Sequence, residues 1–186
     1  MRTSKIFNTR TILLILLLSI LSGFLCNVLF ICIDRLIYPE TYYDSVMKYS
    51  EEYAVPAELV FAVIKVESNF KSNAVSSAGA IGLMQILPST HKYLATRLNE
   101  PPLTSLLYSA DVNIRYGTYY LQYLYTKFGS WEKAVIAYNW GEGNFSNFLD
   151  EQGYTEGDYD SIPVRETRNY VRKVMHHWEK YNELYK

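Results

Sequence analysis

The sequence predicts an all-α domain preceded by one N-terminal transmembrane helix. Three observations predict it. An apolar run from Ile12 to Ile33 is broken only by Ser19, Ser22, Gly23 and Asn27. Past residue 35, apolar residues recur at helical spacing in one segment after another. No long alternating pattern of the kind a strand requires occurs anywhere. Nearly half of the 186 residues are apolar and a fifth are charged, as in a globular protein.

The 22 residues of the apolar run would span roughly 33 Å as a helix, enough to cross a bilayer core. Arg2, Lys5 and Arg10 precede it. No small-residue cleavage site of the Ala-x-Ala kind follows, and Phe24-Leu25 before Cys26 is a poor lipoprotein site. The reading is a retained signal anchor, with the N-terminus cytoplasmic and the rest outside the cell membrane. Residues 1–35 form this anchor and its basic flank, 36–44 a short linker, and 45–186 the outer domain.

Both cysteines, Cys26 and Cys32, lie in the span, so the outer domain has neither a disulfide nor a cysteine metal site. Residues 1–35 carry about +3 of formal charge and the remainder about −4. A mildly acidic outer domain excludes nucleic acid as its partner. Eighteen tyrosines offer flat contact area with hydrogen-bonding tips, suited to sugars or partner surfaces and equally to half-buried helix faces.

The elements follow in order. Tyr42–Tyr53 reads as a short helix with Val46, Tyr49 and Tyr53 on one side. Pro56 opens the next, which is apolar nearly all round through Ser68. Asn69 to Ala80 is turn chemistry, and Gly79 and Gly82 remove side chains beside the preceding helix end. Pro88 starts a helix to about Leu98, ended by Pro101-Pro102. A long helix runs from Ser109 or Asp111 to Phe128. Ser130 caps a helix over Trp131–Tyr138. Trp140 to Asn144 reads as a glycine-rich turn, Phe145–Asp150 as a helical turn, and Glu151–Ser161 as a solvated acidic loop. The last helix runs from Arg165 to about Leu184, with Val171, Val174, Met175 and Trp178 toward the core. His91, His176 and His177 read as surface residues, and no cluster has metal-ligand spacing. No metal or cofactor is expected.

One carboxylate stands out. Glu67 lies four residues after Val63 and seven after Val60, on a face that should be buried. Burial raises a carboxyl pKa. From position alone, Glu67 is equally a structural group, paired with an arginine or capping a loop, and a functional one.

Glu67-Ser68-Asn69-Phe70, then Ser76, then Gly79-Ala80-Ile81-Gly82-Leu83-Met84-Gln85-Ile86-Leu87-Pro88, resembles the catalytic domain of soluble-type lytic transglycosylases, relatives of goose-type lysozymes. Three further stretches are similar to that family's motifs, in the same order. They are Asn113-Ile114-Arg115-Tyr116-Gly117 with Tyr120-Leu121, Ala137-Tyr138-Asn139-Trp140-Gly141, and Ile162-Pro163-Val164-Arg165-Glu166-Thr167-Arg168-Asn169-Tyr170-Val171. The resemblance covers roughly residues 45–180. Trp140 departs from it, standing where a small residue is usual. The large helical ring and wall-binding modules of some relatives have no counterpart in the sequence.

The resemblance implies a lysozyme-like helical domain with a glycan groove. It implies cleavage of peptidoglycan between N-acetylmuramic acid and N-acetylglucosamine, with Glu67 as single acid and base and a 1,6-anhydromuramyl product. Tyr170 would orient Glu67. Ser76, Gln85, Tyr138, Asn139 and Glu166 would line the groove, with Ser68, Met84 and Trp140 as weaker candidates that packing also explains. Two other readings stand beside it: a goose-type muramidase that uses water, and a catalytically silent wall-binding protein of a cell-envelope assembly.

Overall fold

The computed structural model describes residues 8–185. They form eight α-helices: α1 (Thr9–Ile37), α2 (Tyr43–Tyr53), α3 (Ala57–Ser68), α4 (Pro88–Arg97), α5 (Ala110–Phe128), α6 (Trp131–Trp140), α7 (Glu142–Gln152) and α8 (Arg165–Tyr185). Two short 3-10 turns, Thr104–Tyr108 and Tyr159–Ser161, join them. Among the described residues there is no strand, only isolated bridges at Val75–Ile81 and Ile81–Ile86.

The chain divides into two units, one ending at Pro39 and one from Glu40 onward. In the first, Asn8 caps α1 by accepting from the Thr11 amide at 2.9 Å. At 29 residues, α1 is long and apolar enough to cross a membrane, and none of its residues is buried. Arg2 and Lys5 of the basic flank lie outside the described residues.

In the second unit α3 is the central element. Leu59, Val60, Phe61, Ala62, Val63 and Ile64 are all buried, which explains why it is apolar on every side. Burying such side chains stabilises the fold by about 1.5–3 kcal/mol each. It packs chiefly on α8, while α6 packs on α5, α7 and α8. The α8 face that meets the core is Thr167, Tyr170, Val171, Val174 and Tyr181.

Four local expectations are corrected. His91 is buried rather than on the surface. It shares the inward face of α4 with Leu94 and Ala95, and meets the Tyr116 ring edge-on at 4.5 Å. The expected turn after Tyr138 shrinks to Gly141, whose φ of +89° reverses the chain in one residue. Helix α7 therefore begins at Glu142, held by burial of Phe145 and Phe148 against Trp140. Met175 and Trp178 are half-buried and line a surface cleft, because they lie on the flank of α8 beside the stripe of Val171, Val174 and Tyr181 that meets the core.

The loop after α7 has an anchor that no motif announced. Glu132, buried on α6, accepts from Tyr154 Oη at 2.6 Å, the Gly157 amide at 2.7 Å and Tyr159 Oη at 2.9 Å. Glu156, Asp158 and Asp160 stay exposed around this tether. Replacing Glu132 by Ala leaves three donors without their acceptor. The expected outcome is faster proteolysis between residues 153 and 161 and a loss of about 2–4 kcal/mol, read by denaturant unfolding.

Candidate active site

Glu67 occupies the last turn of α3. There the chain turns sharply: Asn69 and Phe70 both adopt left-handed backbone, at φ +47° and +64°. Asparagine tolerates this conformation and phenylalanine does not, so the turn is held by its surroundings. Ser68 Oγ donates to the Leu83 carbonyl at 2.8 Å and ties the helix end to the following loop. Ser76 Oγ accepts from the Ala80 amide at 3.0 Å inside that loop. Gln85, itself left-handed at φ +49°, donates from Nε2 to the Gly82 and Ala74 carbonyls at 2.8 and 3.2 Å.

Asn113 is the loop's deepest support. It is fully buried on α5. Its Oδ1 accepts from the Met84 amide at 2.8 Å, and its Nδ2 donates to the Ile81 and Leu107 carbonyls at 2.8 and 2.9 Å. Gly82 is needed because Asn113 fills the space a side chain there would take. Met84 is buried with its sulfur against Gly117, so it packs and does not face the groove.

Tyr170 Oη donates to Glu67 Oε1 at 2.6 Å across the α3–α8 packing. Burial is the main influence on the Glu67 carboxyl and raises its pKa. The Tyr170 hydrogen bond opposes this, and the negative charge of Glu166 adds to it. The outcome is a value pushed up to about 7. A cavity of about 340 Å³ opens beside Glu67, lined also by Val66, Asn139, Glu166, Asn169, Tyr170 and Lys173. A second, of about 180 Å³, is lined by Gln85, Thr90, Tyr120, Tyr138, Asn139 and Trp140, among others. Asn139 lines both, so the two cavities adjoin there. Tyr138 Oη donates to the Met84 carbonyl at 2.7 Å, fixing its ring at the wall of the second cavity.

The structure thus brings Glu67, Tyr170, Glu166 and Asn139 to one cavity, and Gln85, Tyr138, Asn139 and Trp140 to the other. Ser68, Ser76 and Met84 line neither and serve the loop that forms the wall. Asn169 and Lys173 were missed by sequence reasoning, although a signal was present. Glu166, Asn169, Tyr170 and Lys173 recur at helical spacing and share one face of α8. Tyr120 belongs to the motif that begins at Asn113 but is not among the expected groove residues, and Thr90 carried no signal, since tertiary packing alone places it there.

A helical domain with one tyrosine-held acid on a groove defines the lysozyme-like class. Residues 44–160 match the model of the Transglycosylase SLT domain. The soluble lytic murein transglycosylase of Escherichia coli is 34% identical over 147 residues, covering 74% of this chain and 22% of that protein. Membrane-bound lytic murein transglycosylase C of Actinobacillus pleuropneumoniae is 30% identical over 165 residues, covering 75% of this chain and 45% of that protein. Among solved structures, an inactive mutant of the lytic transglycosylase Slt from Pseudomonas aeruginosa superposes with a TM-score of 0.73 at 31% identity. That match covers 78% of this chain and 24% of the other. The 70 kDa soluble lytic transglycosylase of Escherichia coli gives 0.72 at 31% identity, covering 78% and 25%. The chain belongs to the Transglycosylase SLT domain family. It spans about a fifth of the length of the soluble relatives it matches and under half of the membrane-bound one. The family match ends before α8, so it is the Tyr170–Glu67 hydrogen bond that attaches the last motif to the site.

Proposed function

We propose that the chain is a membrane-anchored peptidoglycan lytic transglycosylase, with residues 1–35 as anchor, 36–44 as linker and 45–186 as catalytic domain. The observation that carries this is Glu67: a half-buried carboxyl group, its pKa pushed up to about 7 by desolvation, gripped by Tyr170 and facing a groove. A group with that pKa holds a proton for a leaving oxygen and takes one back within the same cycle near neutral pH.

Glu67 protonates the glycosidic oxygen between N-acetylmuramic acid and N-acetylglucosamine. The substrate's own N-acetyl group stabilises the cationic centre. Glu67, now ionised, takes the proton from the muramyl C6 hydroxyl, which attacks C1 and closes the 1,6-anhydro ring. No water is consumed, and the intramolecular attack gains from proximity. Tyr170 holds the carboxyl in place, while Asn139, Tyr138, Gln85 and Glu166 face the glycan. Helix α1 tethers the domain to the cell membrane, N-terminus inside, which puts the domain on the wall side.

One feature favours a second reading, hydrolysis by water. The Glu166 carboxylate lines the same cavity as Glu67, and an inverting glycosidase uses a second carboxylate to activate water. Mass spectrometry of digested glycan strands decides between them. We expect products one water lighter than a reducing end, and reducing ends alone refute the proposal.

The pH dependence follows from the same group. The first step needs Glu67 protonated, so kcat/KM should fall as pH rises through about 7. A profile flat from pH 6 to pH 8 would show that Glu67 is not the acid.

A further inference from the structure

Beside the second cavity lies an aromatic strip of which only Tyr120 belongs to a motif. Tyr120 lines the second cavity, with its ring 5.2 Å from that of Tyr138. One turn along α5, Tyr123 stacks on Tyr120 at 6.3 Å, with planes 13° apart. From α4, Tyr93 meets Tyr123 edge-on at 5.9 Å, and their hydroxyls hydrogen-bond at 2.9 Å. Arg97, one turn further on α4, lays its guanidinium 4.6 Å from the Tyr123 ring centre. It also donates to Tyr93 Oη at 3.4 Å.

These contacts leave Tyr93 39% exposed and Tyr123 half-buried, while Tyr120, at 8%, is buried and links the two to the second cavity. Exposed aromatic surface at the mouth of a groove, held rigid by its own hydroxyl pair and a cation, is a preorganised platform. Its chemistry suits a saccharide. Rigid tyrosine rings meet the apolar C–H faces of pyranoses at small entropic cost, and the hydroxyls and guanidinium meet ring oxygens and hydroxyls. Its continuity with the second cavity through Tyr120 sets which saccharide: the one already lying in the groove.

We propose that the Tyr120–Tyr123–Tyr93–Arg97 strip binds the glycan strand beyond the cavities flanking Glu67, so that the chain discriminates long strands from short ones. This rests on the glycan reading of the groove given above. The strip acts on affinity for length and leaves the bond-breaking step untouched.

The test uses the full chain in detergent, made inactive by Glu67→Gln, and peptide-free glycan strands fractionated by length. Dissociation constants are measured for tetrasaccharides and for long strands. Adding Tyr93→Ala or Arg97→Ala should weaken binding of long strands on the order of ten-fold and leave tetrasaccharide binding within about two-fold. Tyr93→Phe, which keeps the ring, should retain most of the long-strand affinity. A thermal melt of each variant separates loss of the strip from loss of fold, and Tyr123→Ala serves as the alternative if Tyr93→Ala unfolds. Equal affinity for short and long strands in the parent, or equal weakening of both by the variants, overturns the strip alone. Failure of the parent to bind any glycan overturns the strip and the glycan reading together.

Discussion

Glu67→Gln should reduce lytic turnover by about 10³-fold or more while leaving glycan binding nearly intact. The substitution preserves shape, and its amide oxygen still accepts from Tyr170 Oη, so the 2.6 Å contact persists. What disappears is the exchangeable proton, and general acid–base catalysis of this kind is worth about 10² to 10⁴ in rate. Turbidity clearance of sacculi and binding to purified glycan strands are the two measurements. A variant that still clears walls shows that Glu67 is not the proton donor.

The same substitution has a second expected effect, on stability, with a sign set by the pKa shift. An exposed Glu titrates near 4.5, and Glu67 in the folded chain near 7. Between those values the folded chain keeps a proton that the unfolded chain releases, so stability falls as pH rises through that window. Above about pH 7 the folded chain carries the full penalty of a buried charge, about 3 kcal/mol for a shift of this size. Glutamine does not titrate. Glu67→Gln should therefore match the parent at pH 4 and melt several degrees higher at pH 8. A difference independent of pH would mean that Glu67 is not held neutral by the fold. The acid thus costs stability at the pH where it works, as is common for groups whose surroundings are tuned to chemistry.

Much of this site was legible because helical spacing carries side-chain direction. The apolar wrap of α3 already put Glu67 on a buried face, and the resemblance in the last motif already pointed to Tyr170. What spacing does not carry is the use of a side chain inside a loop. Gln85, Ser76 and Ser68 belong to recognisable motifs, yet their polar atoms are spent on backbone groups of the turn that forms the groove wall. Motif membership therefore marks that loop's geometry as much as contact with a ligand. Glu132 went unread for a related reason. A lone acid on a helix looks solvated until the tertiary fold brings Tyr154, Gly157 and Tyr159 to it. His91 failed in the same way, since a polar residue on an apolar stripe gives no sequence signal of its burial.

Asn113 sharpens the point and carries the largest expected structural effect. It sits in a motif but far from the acid in sequence, and the motif alone does not tell what it holds. In the fold it is the partner of three buried backbone groups on two separate segments: the Met84 amide, the Ile81 carbonyl and the Leu107 carbonyl. Asn113→Ala would take this partner from the Met84 amide and the Leu107 carbonyl, leave the Ile81 carbonyl with the Ile86 amide at 3.0 Å, and open a void against Gly82. Each unsatisfied buried group costs about 1–3 kcal/mol. Even with partial relaxation the loss should reach about 4 kcal/mol, a large share of the 5–15 kcal/mol typical of a domain. Asn113→Asp is the discriminating variant. It keeps the acceptor for Met84 but turns an oxygen toward the Ile81 and Leu107 carbonyls, replacing two attractions by two repulsions. It should therefore be as damaging as alanine despite its identical size, and more so above the pH at which the new carboxyl ionises. The loop also bears the Met84 carbonyl that fixes Tyr138, so catalysis should fail before the fold does. Denaturant unfolding beside turnover, on both variants, checks this. A loss under about 1 kcal/mol for either would show that the loop is held by its own turns and not by α5.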